Sequence, residues 1–397
     1  MTAFQSYDVI IVGMGPAGAS AAYELCQAGL SVLGLEKQSH PRYKVCGGGL
    51  SARIESILPP DFHSVIEDAV HRMIFSYGPK ESYHVESEKP IAYMVMRSCF
   101  DQWLVDRALH AGAVVHEDEP ATALTTLPDG IEVRTAKSRY HGRVVIGADG
   151  AMSLVAQQLF PHRRLRKIPA LESEILSHSP EAHAYAKTAL ISLNAAKKGY
   201  GWIFPKKQGL SIGVGEFVRG MNQPRQSFQQ FTRKEPTLAE QVIPSPLGHP
   251  IPVFNRSPGI MNGRWNNGLV QGRALLVGDA GHLVDPLLGE GIYYAVRSGQ
   301  LAGTNIVQAL QHSSPCFDNY EHAVINEFGR EFQIASRLGR VVYGVPRSWH
   351  RWVGKTFPGP YQGVLQRYCG MLQGQETYQT LWDRMMTRMK KPFIRRS

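Results

Sequence analysis

The chain is poor in cysteine, and none of its cysteines is placed to pair with a near neighbour. Cys26, Cys46, Cys99, Cys316 and Cys369 are the five in 397 residues, widely scattered and without a C-x-x-C pair. That spacing argues against a disulfide framework, a zinc site or an iron–sulfur cluster. Long hydrophobic runs are missing as well. No stretch of about 18–20 uncharged apolar residues occurs, so no segment is expected to cross a bilayer. The first apolar strand begins within a few residues of Met1, which leaves no room for a signal peptide. A cytoplasmic protein is expected. Internal repeats and low-complexity segments are absent too. What remains is an ordinary globular composition, 43% apolar and 19% charged, with length enough for two or three lobes around a large core.

Acidic residues are also in the minority: 33 Asp and Glu stand against 43 Lys and Arg, a formal charge of +10. A basic soluble enzyme with no special partner accounts for this. So does an anionic substrate or an anionic membrane surface. The carboxyl-terminal end favours the membrane somewhat, since Arg384, Arg388, Lys390, Lys391, Arg395 and Arg396 sit among Met385, Met386, Met389, Phe393 and Ile394. No nucleic-acid-binding motif accompanies the charge, so nucleic acid is not an expected partner.

The rest of the chain is organised around Tyr7–Glu36. Val9–Val12 reads as a strand buried on both faces. Gly13, Gly15 and Gly18 follow at G-x-G-x-x-G spacing, and Ala21, Ala22, Leu25 and Ala28 recur at helical intervals. Leu30–Leu35 is a second apolar strand ending at Glu36. Gly13 permits the tight turn, Gly15 lets a pyrophosphate approach the backbone, and Gly18 allows close helix–strand packing. The helix N-terminus offers N–H groups and a partial positive charge to phosphates. Glu36 stands where a ribose diol is held. The spacing alone is weak; strand, turn, helix, strand and acid in order predict dinucleotide binding.

Pro41 and the run Gly47-Gly48-Gly49 then predict a loop leading into a helix, with backbone free to lie against a flat ligand. Cys46 beside it is either a buried structural thiol or a functional one. Arg97 precedes an amphipathic helix, where Asp101 is one turn away. Residues 121–150 read as a hairpin followed by a buried strand ending at Asp149-Gly150. Tyr200, Trp202 and Phe204 alternate in GYGWIFPKK, a strand with one aromatic face, and LSIGVGEF reads as its partner. Strand Ala274–Val277 leads to Asp279, and Gly289-Glu290-Gly291 opens another helix after Pro286. A strand-end carboxylate and a helix N-terminus are again aimed at one ligand. From about residue 315 the pattern is helical.

Taken together, GMGPAG with Glu36, PRYKVCGG, Arg97, IGADG, YGWIFP and GDAGHLVDPLLGEGI resemble the geranylgeranyl reductase family, within the para-hydroxybenzoate hydroxylase fold class. The resemblance runs from the first strand to about residue 305. It implies an α/β protein with a Rossmann-type FAD-binding domain, a β-sheet-rich substrate domain and a C-terminal helical region. The expected divisions are 1–165 for FAD binding (with a substrate-domain insertion at about 61–96), 166–265 for substrate, 266–314 returning to the FAD-binding domain, and 315–397 helical. It implies FAD contacts from Gly13, Gly15, Pro16, Ala17, Gly18, Glu36, Lys37, Cys46, Gly47, Gly49, Arg97, Ala121, Asp279, Pro286, Gly289, Gly291 and Ile292. Cys46 and Gly47 would lie by the isoalloxazine, Cys46 as the catalytic candidate, and Ala121 near the adenine. Tyr200, Trp202 and Phe204 would line a prenyl tunnel, and no metal is implied.

The family's chemistry is hydrogenation of isolated C=C bonds by hydride from reduced flavin N5 and a proton from a second group. The substrate would be a prenyl lipid, a quinone or a prenyl diphosphate. An isolated alkene is poorly electrophilic, so aromatic faces and exclusion of water are expected. At about 0.8 kcal/mol per buried CH₂, some ten methylene equivalents would contribute roughly 8 kcal/mol. Lys206 and Lys207 are candidates to hold an anionic head group at the mouth. No second dinucleotide-binding unit is evident; NADPH and reduced ferredoxin both stand as electron donors. An FAD monooxygenase of the same fold, and a flavin electron carrier without a substrate pocket, remain as alternatives.

Overall fold

Val9, Ile10 and Ile11 have no exposed surface at all, and their strand accordingly lies in the middle of a sheet. The computed structural model describes residues 5–390 apart from 79–80, 162, 164–165, 177–182, 194, 197, 218–222, 240, 255–259, 262–263 and 266–267. The basic carboxyl-terminal cluster thus falls partly outside the described residues, Lys391, Phe393, Ile394, Arg395 and Arg396 among them.

Gln5–Val12 runs parallel to Val32–Leu35 on one side and to Arg139–Gly147 on the other, with Val9 level with both Val32 and Val144. Val114–His116 and Ala274–Leu276 extend this eight-stranded sheet in parallel, and Val270–Gln271 closes one edge antiparallel. The hairpin Ala121–Thr126 and Ile131–Thr135 folds onto Arg139–Gly147. Parallel strands covered on both faces read as unbroken apolar runs, as these do.

Helix Pro16–Gln27 packs against helix Ile292–Leu310. The contact is close because the facing positions carry small residues. A Cβ on Gly299 would lie 2.2 Å from the Ala17 carbonyl oxygen, and one on Gly303 would lie 2.6 Å from Glu24 Cβ. The two strongest stretches of the sequence therefore pack directly on each other.

A second, seven-stranded sheet has the order Leu247–Ile251, Ile168–Leu176, Gly209–Glu216, Gly199–Lys206, Thr188–Ser192, Arg72–Gly78, Glu81–Glu86. It draws on two separate stretches of chain, joined where Thr188–Ser192 pairs parallel with Arg72–Gly78. The aromatic strand Gly199–Lys206 pairs antiparallel with Gly209–Glu216. One face packs on helix Pro224–Lys234 through Phe228 and Phe231; Trp202 on the other face joins a cluster with Met73, Phe75, Met94 and Ile191.

Helices Asp318–Val324, Arg330–Gly344, Arg347–Thr356, Pro358–Leu372 and Tyr378–Lys390 complete the chain, as the helical pattern predicts. Residues 37–54 differ from the expectation of a loop entering a helix. Gly49–Ser51 is a short strand paired with Ala92–Val95, and only a 3₁₀ turn, Ala52–Ser56, follows. The reason is at Gly48, whose φ is +64° and whose carbonyl accepts the Val95 N–H at 2.9 Å. A Cβ there would sit 2.1 Å from the Val95 carbonyl oxygen. No helix among the described residues is long and apolar enough to cross a membrane.

Candidate functional site

A cavity of about 600 Å³ lies between the two sheets. It is bordered by the turn after the first strand, loop 42–49, the aromatic strand and the start of helix Ile292–Leu310. Its size is ordinary for a cofactor or ligand site.

At one end the backbone is shaped for a phosphate. Gly13 has φ +95°, and a Cβ on it would fall 2.6 Å from the Ala148 carbonyl oxygen. Gly15 precedes helix Pro16–Gln27, whose N-terminus has no side-chain cap. Gly15, Pro16 and Ala17 all border the cavity, so the uncapped N–H end faces it. Gly18 does not border it. Its Cβ would be 2.0 Å from the Gly13 carbonyl oxygen, so its part is packing.

Glu36 is buried, and its carboxylate accepts the N–H groups of Met14 and Lys37, both at 2.9 Å. Lys37 and Ala121 also border the cavity. Arg97 does both things its position allowed. It forms a two-pronged pair with the fully buried Asp101, each contact 2.8 Å, and it faces the cavity. Burial opposes the Arg97 charge, but Asp101 and the Cys46 sulfur outweigh it and hold the pKa raised. Arg42 Nη1 lies 3.1 Å from the same Asp101.

Opposite, burial raises the Asp279 pKa, partly offset by Lys44 and Arg97. Gly291 lies beside it, with its Cβ position 3.5 Å from Asp279 Oδ1. Gly289 (φ +70°), Gly291 and Ile292 border the cavity, whereas Pro286 does not. Among the described residues the buried Asp149 Oδ1 has no hydrogen-bond partner, while Oδ2 accepts the Leu154 N–H at 2.6 Å.

An uncapped helix N-terminus, an acid after the second strand, an open buried acceptor at Asp149 and close-approach glycines suit a flavin dinucleotide. Among the described residues no group of three or more His, Cys, Asp or Glu is placed to hold a metal.

At the other end the wall is aromatic and apolar. Cys46, Gly47 and Gly49 line the cavity beside the rings of the aromatic strand. A Cβ on Gly47 would be 2.9 Å from Trp202 Nε1 and 3.1 Å from Phe204. The Gly48 N–H donates to Cys46 Sγ at 3.4 Å. Tyr200 stacks on Phe217, with centroids 5.2 Å apart, and its hydroxyl donates to the Leu288 carbonyl oxygen. Met73, Met94, Ile191, Tyr368 and Leu372 continue the apolar wall.

Lys206 and Lys207 are not at the mouth, and neither borders the cavity. Lys206 shares the inward face of its strand with Tyr200, Trp202 and Phe204. Its Nζ donates to the carbonyl oxygens of Gly47 (3.0 Å) and Val95 (2.6 Å), and burial pushes its pKa down to about 8. Lys207 is exposed at the turn.

Further polar residues to which the sequence pattern gives no role border the cavity, among them Tyr43, Lys44, Glu172 and His249. The first two lie within PRYKVCGG, just before Cys46 and the glycines. Glu172 and His249 face each other's neighbours across paired strands, with Ala170 level with His249, and only the sheet register brings them together. Tyr368 and Leu372 come from a helix that carries no motif.

The FAD binding domain family matches residues 6–325. Digeranylgeranylglycerophospholipid reductase 1 of Methanopyrus kandleri is 30% identical over 364 residues, 85% of this chain and 90% of that protein. Geranylgeranyl diphosphate reductase of Rhodobacter capsulatus is 30% identical over 335 residues, 78% of this chain and 77% of that protein. Among solved structures, a geranylgeranyl bacteriochlorophyll reductase-like protein from Thermoplasma acidophilum superposes with a TM-score of 0.75 at 23% identity, covering 98% of this chain and 97% of that one.

Proposed function

The chain belongs to the geranylgeranyl reductase family of FAD binding domain flavoproteins, and on that premise we propose that it saturates C=C bonds of a geranylgeranyl or related polyprenyl chain. It is an FAD-dependent oxidoreductase. The substrate class carries over from the names of the relatives: a prenyl phospholipid or a prenyl diphosphate. The observation that carries the reading is the single cavity in which a dinucleotide cradle runs into an aromatic and apolar wall. An electron carrier would not need that wall.

When bound, FAD supplies the hydride. The chain's own residues do the rest. Gly13, Gly15 and Ala17 would receive the pyrophosphate on backbone N–H groups, with Pro16 fixing the start of the helix, and Glu36 would hold the ribose. Asp279 and Arg97 orient the remainder of the cofactor, with Asp101 holding Arg97 in place. Tyr200, Trp202 and Phe204 exclude water and present π faces to a carbon acquiring positive charge. Cys46, beside these rings, shapes the pocket around the substrate. Electrons come from NADPH or reduced ferredoxin.

Access to a lipid substrate rests on a surface outside the cavity. Residues 332–375 contain no Asp or Glu, but they contain Arg337, Arg340, Arg347, Arg351, Lys355 and Arg367. Val341, Trp349, Trp352, Phe357 and Val364 in this stretch are exposed. Exposed indole rings among cations match an anionic membrane surface. Arg351 and Lys355 both pair with Glu81 there, exposed contacts that water and lipid phosphates compete for easily.

The test is anaerobic incubation of dithionite-reduced protein with geranylgeranyl diphosphate and with a geranylgeranylated lipid, read by mass spectrometry. Products heavier by two hydrogens per double bond are expected, and Cys46→Ser should alter their distribution. No mass change without air, followed by gain of one oxygen with air and NADPH, would assign the protein to the monooxygenases instead.

A further inference from the structure

Reduction of an alkene needs a proton as well as a hydride, and the cavity contains several acids that are unequal in their ability to give one. Glu36 accepts backbone N–H groups and has Arg42 at 3.7 Å. Asp149 caps a helix N-terminus. Asp279 lies between Lys44 and Arg97. Glu290 is paired with Arg53. N–H donors and fixed cations favour the ionised form of a carboxyl and offset part of the rise that burial gives Asp149 and Asp279.

Glu172 differs from all of these. It is 1% exposed, on the cavity-facing side of strand Ile168–Leu176, and borders the cavity. Among the described residues its hydrogen-bond partners are hydroxyls only: Tyr43 donates to Oε2 at 2.7 Å, and Ser211 to Oε1 at 3.2 Å. Ser211 in turn accepts from Trp202 Nε1 at 3.4 Å, which ties the carboxyl to the aromatic wall. Tyr43 is 45% exposed and so links Glu172 to solvent.

Resting on the reductase reading, we infer that Glu172 is the proton donor of the reduction and is recharged from solvent through the Tyr43 hydroxyl. The balance is simple. The π bond breaks, one carbon takes the hydride and the other takes the Glu172 proton. Glu172 is left as a carboxylate, and Tyr43 passes it a proton while taking one from water. The electrons come from the reduced flavin alone.

The surroundings suit such a group. Burial pushes the Glu172 pKa up, and Glu174 on the same strand adds to this; Tyr43, Ser211 and the Lys206 charge oppose it, leaving it at about 7. Across the next strand, burial and then Lys44 push His249 down to about 4, so its Nε2 is free to accept from Lys44 Nζ at 2.7 Å and carries no proton to give near neutrality. Tyr43, raised by burial and by Glu172, stays protonated and can act as a relay.

The experiment compares the FAD-loaded wild type with E172Q, E172D and Y43F. Gln preserves the shape, its carbonyl oxygen accepting from one hydroxyl and its NH2 donating to the oxygen of the other, so the flavin absorption spectrum should be unchanged. The wild-type rate should fall as pH rises through about 7. E172Q should lose that limb and drop about 100-fold, the usual scale for an acid catalyst. E172D should recover part of the rate with a shifted limb, and Y43F should slow proton return with an enlarged solvent isotope effect. Independently of turnover, infrared difference spectra between pH 6 and pH 8 should show a protonated carboxyl band in the wild type that E172Q lacks. An E172Q enzyme with the wild-type rate and pH profile would overturn the assignment. A wild type that reduces no prenyl chain would instead remove the substrate reading, and the infrared band alone would then sustain or overturn Glu172 as the proton holder.

Discussion

A buried carboxyl that keeps its proton to about pH 7 affects stability as well as chemistry. Glu172 ionises near 4.5 in the unfolded chain and near 7 in the fold. Above 4.5 the unfolded state therefore holds fewer protons than the native state, and stability falls with rising pH until the folded carboxyl has also ionised. At 1.36 kcal/mol per pKa unit the loss is about 3 kcal/mol. Denaturant unfolding at pH 5 and pH 8 should show the wild type losing about 2–3 kcal/mol more than E172Q over that span. Asp285, also raised by burial, to about 6, is present in both proteins and cancels from the comparison. Equal losses in the two proteins would place the pH dependence on other groups. None of this could be read from Glu172 as a letter, because a glutamate in ESEIL looks like any strand-edge acid until sheet register points it at the cavity.

At the scale of elements, the molecule depends on how closely helix Pro16–Gln27 meets helix Ile292–Leu310. The first begins at the phosphate-binding turn and the second begins at Gly291 beside Asp279, so their crossing sets the distance between two walls of the cofactor site. Gly299→Ala places a methyl 2.2 Å from the Ala17 carbonyl oxygen. The helices must separate, at a cost of about 1–3 kcal/mol, and flavin affinity should fall with stability in equilibrium titration. Gly363→Ala is the matched control. It lies in helix Pro358–Leu372 with nothing within 4 Å of the added methyl, and it should be neutral or stabilising by about 0.5–1 kcal/mol. A Gly299→Ala protein as stable as the control would mean that the helices are not tightly packed. Tyr378 ties the last helix to the same region, since its hydroxyl donates to the buried Asp285 at 2.7 Å.

Over the whole molecule, the proposed membrane contact would use the acid-free stretch 332–375 and the exposed rings of Trp349 and Trp352. Replacing both tryptophans with serine should reduce co-sedimentation with vesicles rich in phosphatidylglycerol while leaving reduction of a detergent-solubilised substrate unchanged. Binding by the wild type should weaken as salt rises, because the contact is partly electrostatic. Equal binding of wild type and variant would move membrane contact elsewhere on the surface. At the same scale, Tyr368 and Leu372 reach the cavity from a helix more than 150 residues beyond the aromatic strand, so the apolar end belongs to no single stretch of chain.

The sequence by itself determined the dinucleotide-binding turn, the aromatic strand and the two helices that open after glycines, because each depends on residues adjacent in the chain. G-x-G-x-x-G spacing, period-two alternation and a strand-end carboxylate are local patterns with local physical causes. Arg97 was legible for the same reason, with its partner Asp101 one helical turn away. The tertiary structure alone decided what closes the cavity. Lys206 points inward, away from the mouth, because it shares a pleat with three aromatic rings, and a pleat's facing is set by the partner strand. Tyr43, Glu172, Ser211 and His249 come from a loop and three strands, and form a site only because sheet register places them together. Proton chemistry in this protein rests on such non-local contacts, where burial and neighbours, rather than residue type, fix whether a carboxyl holds its proton.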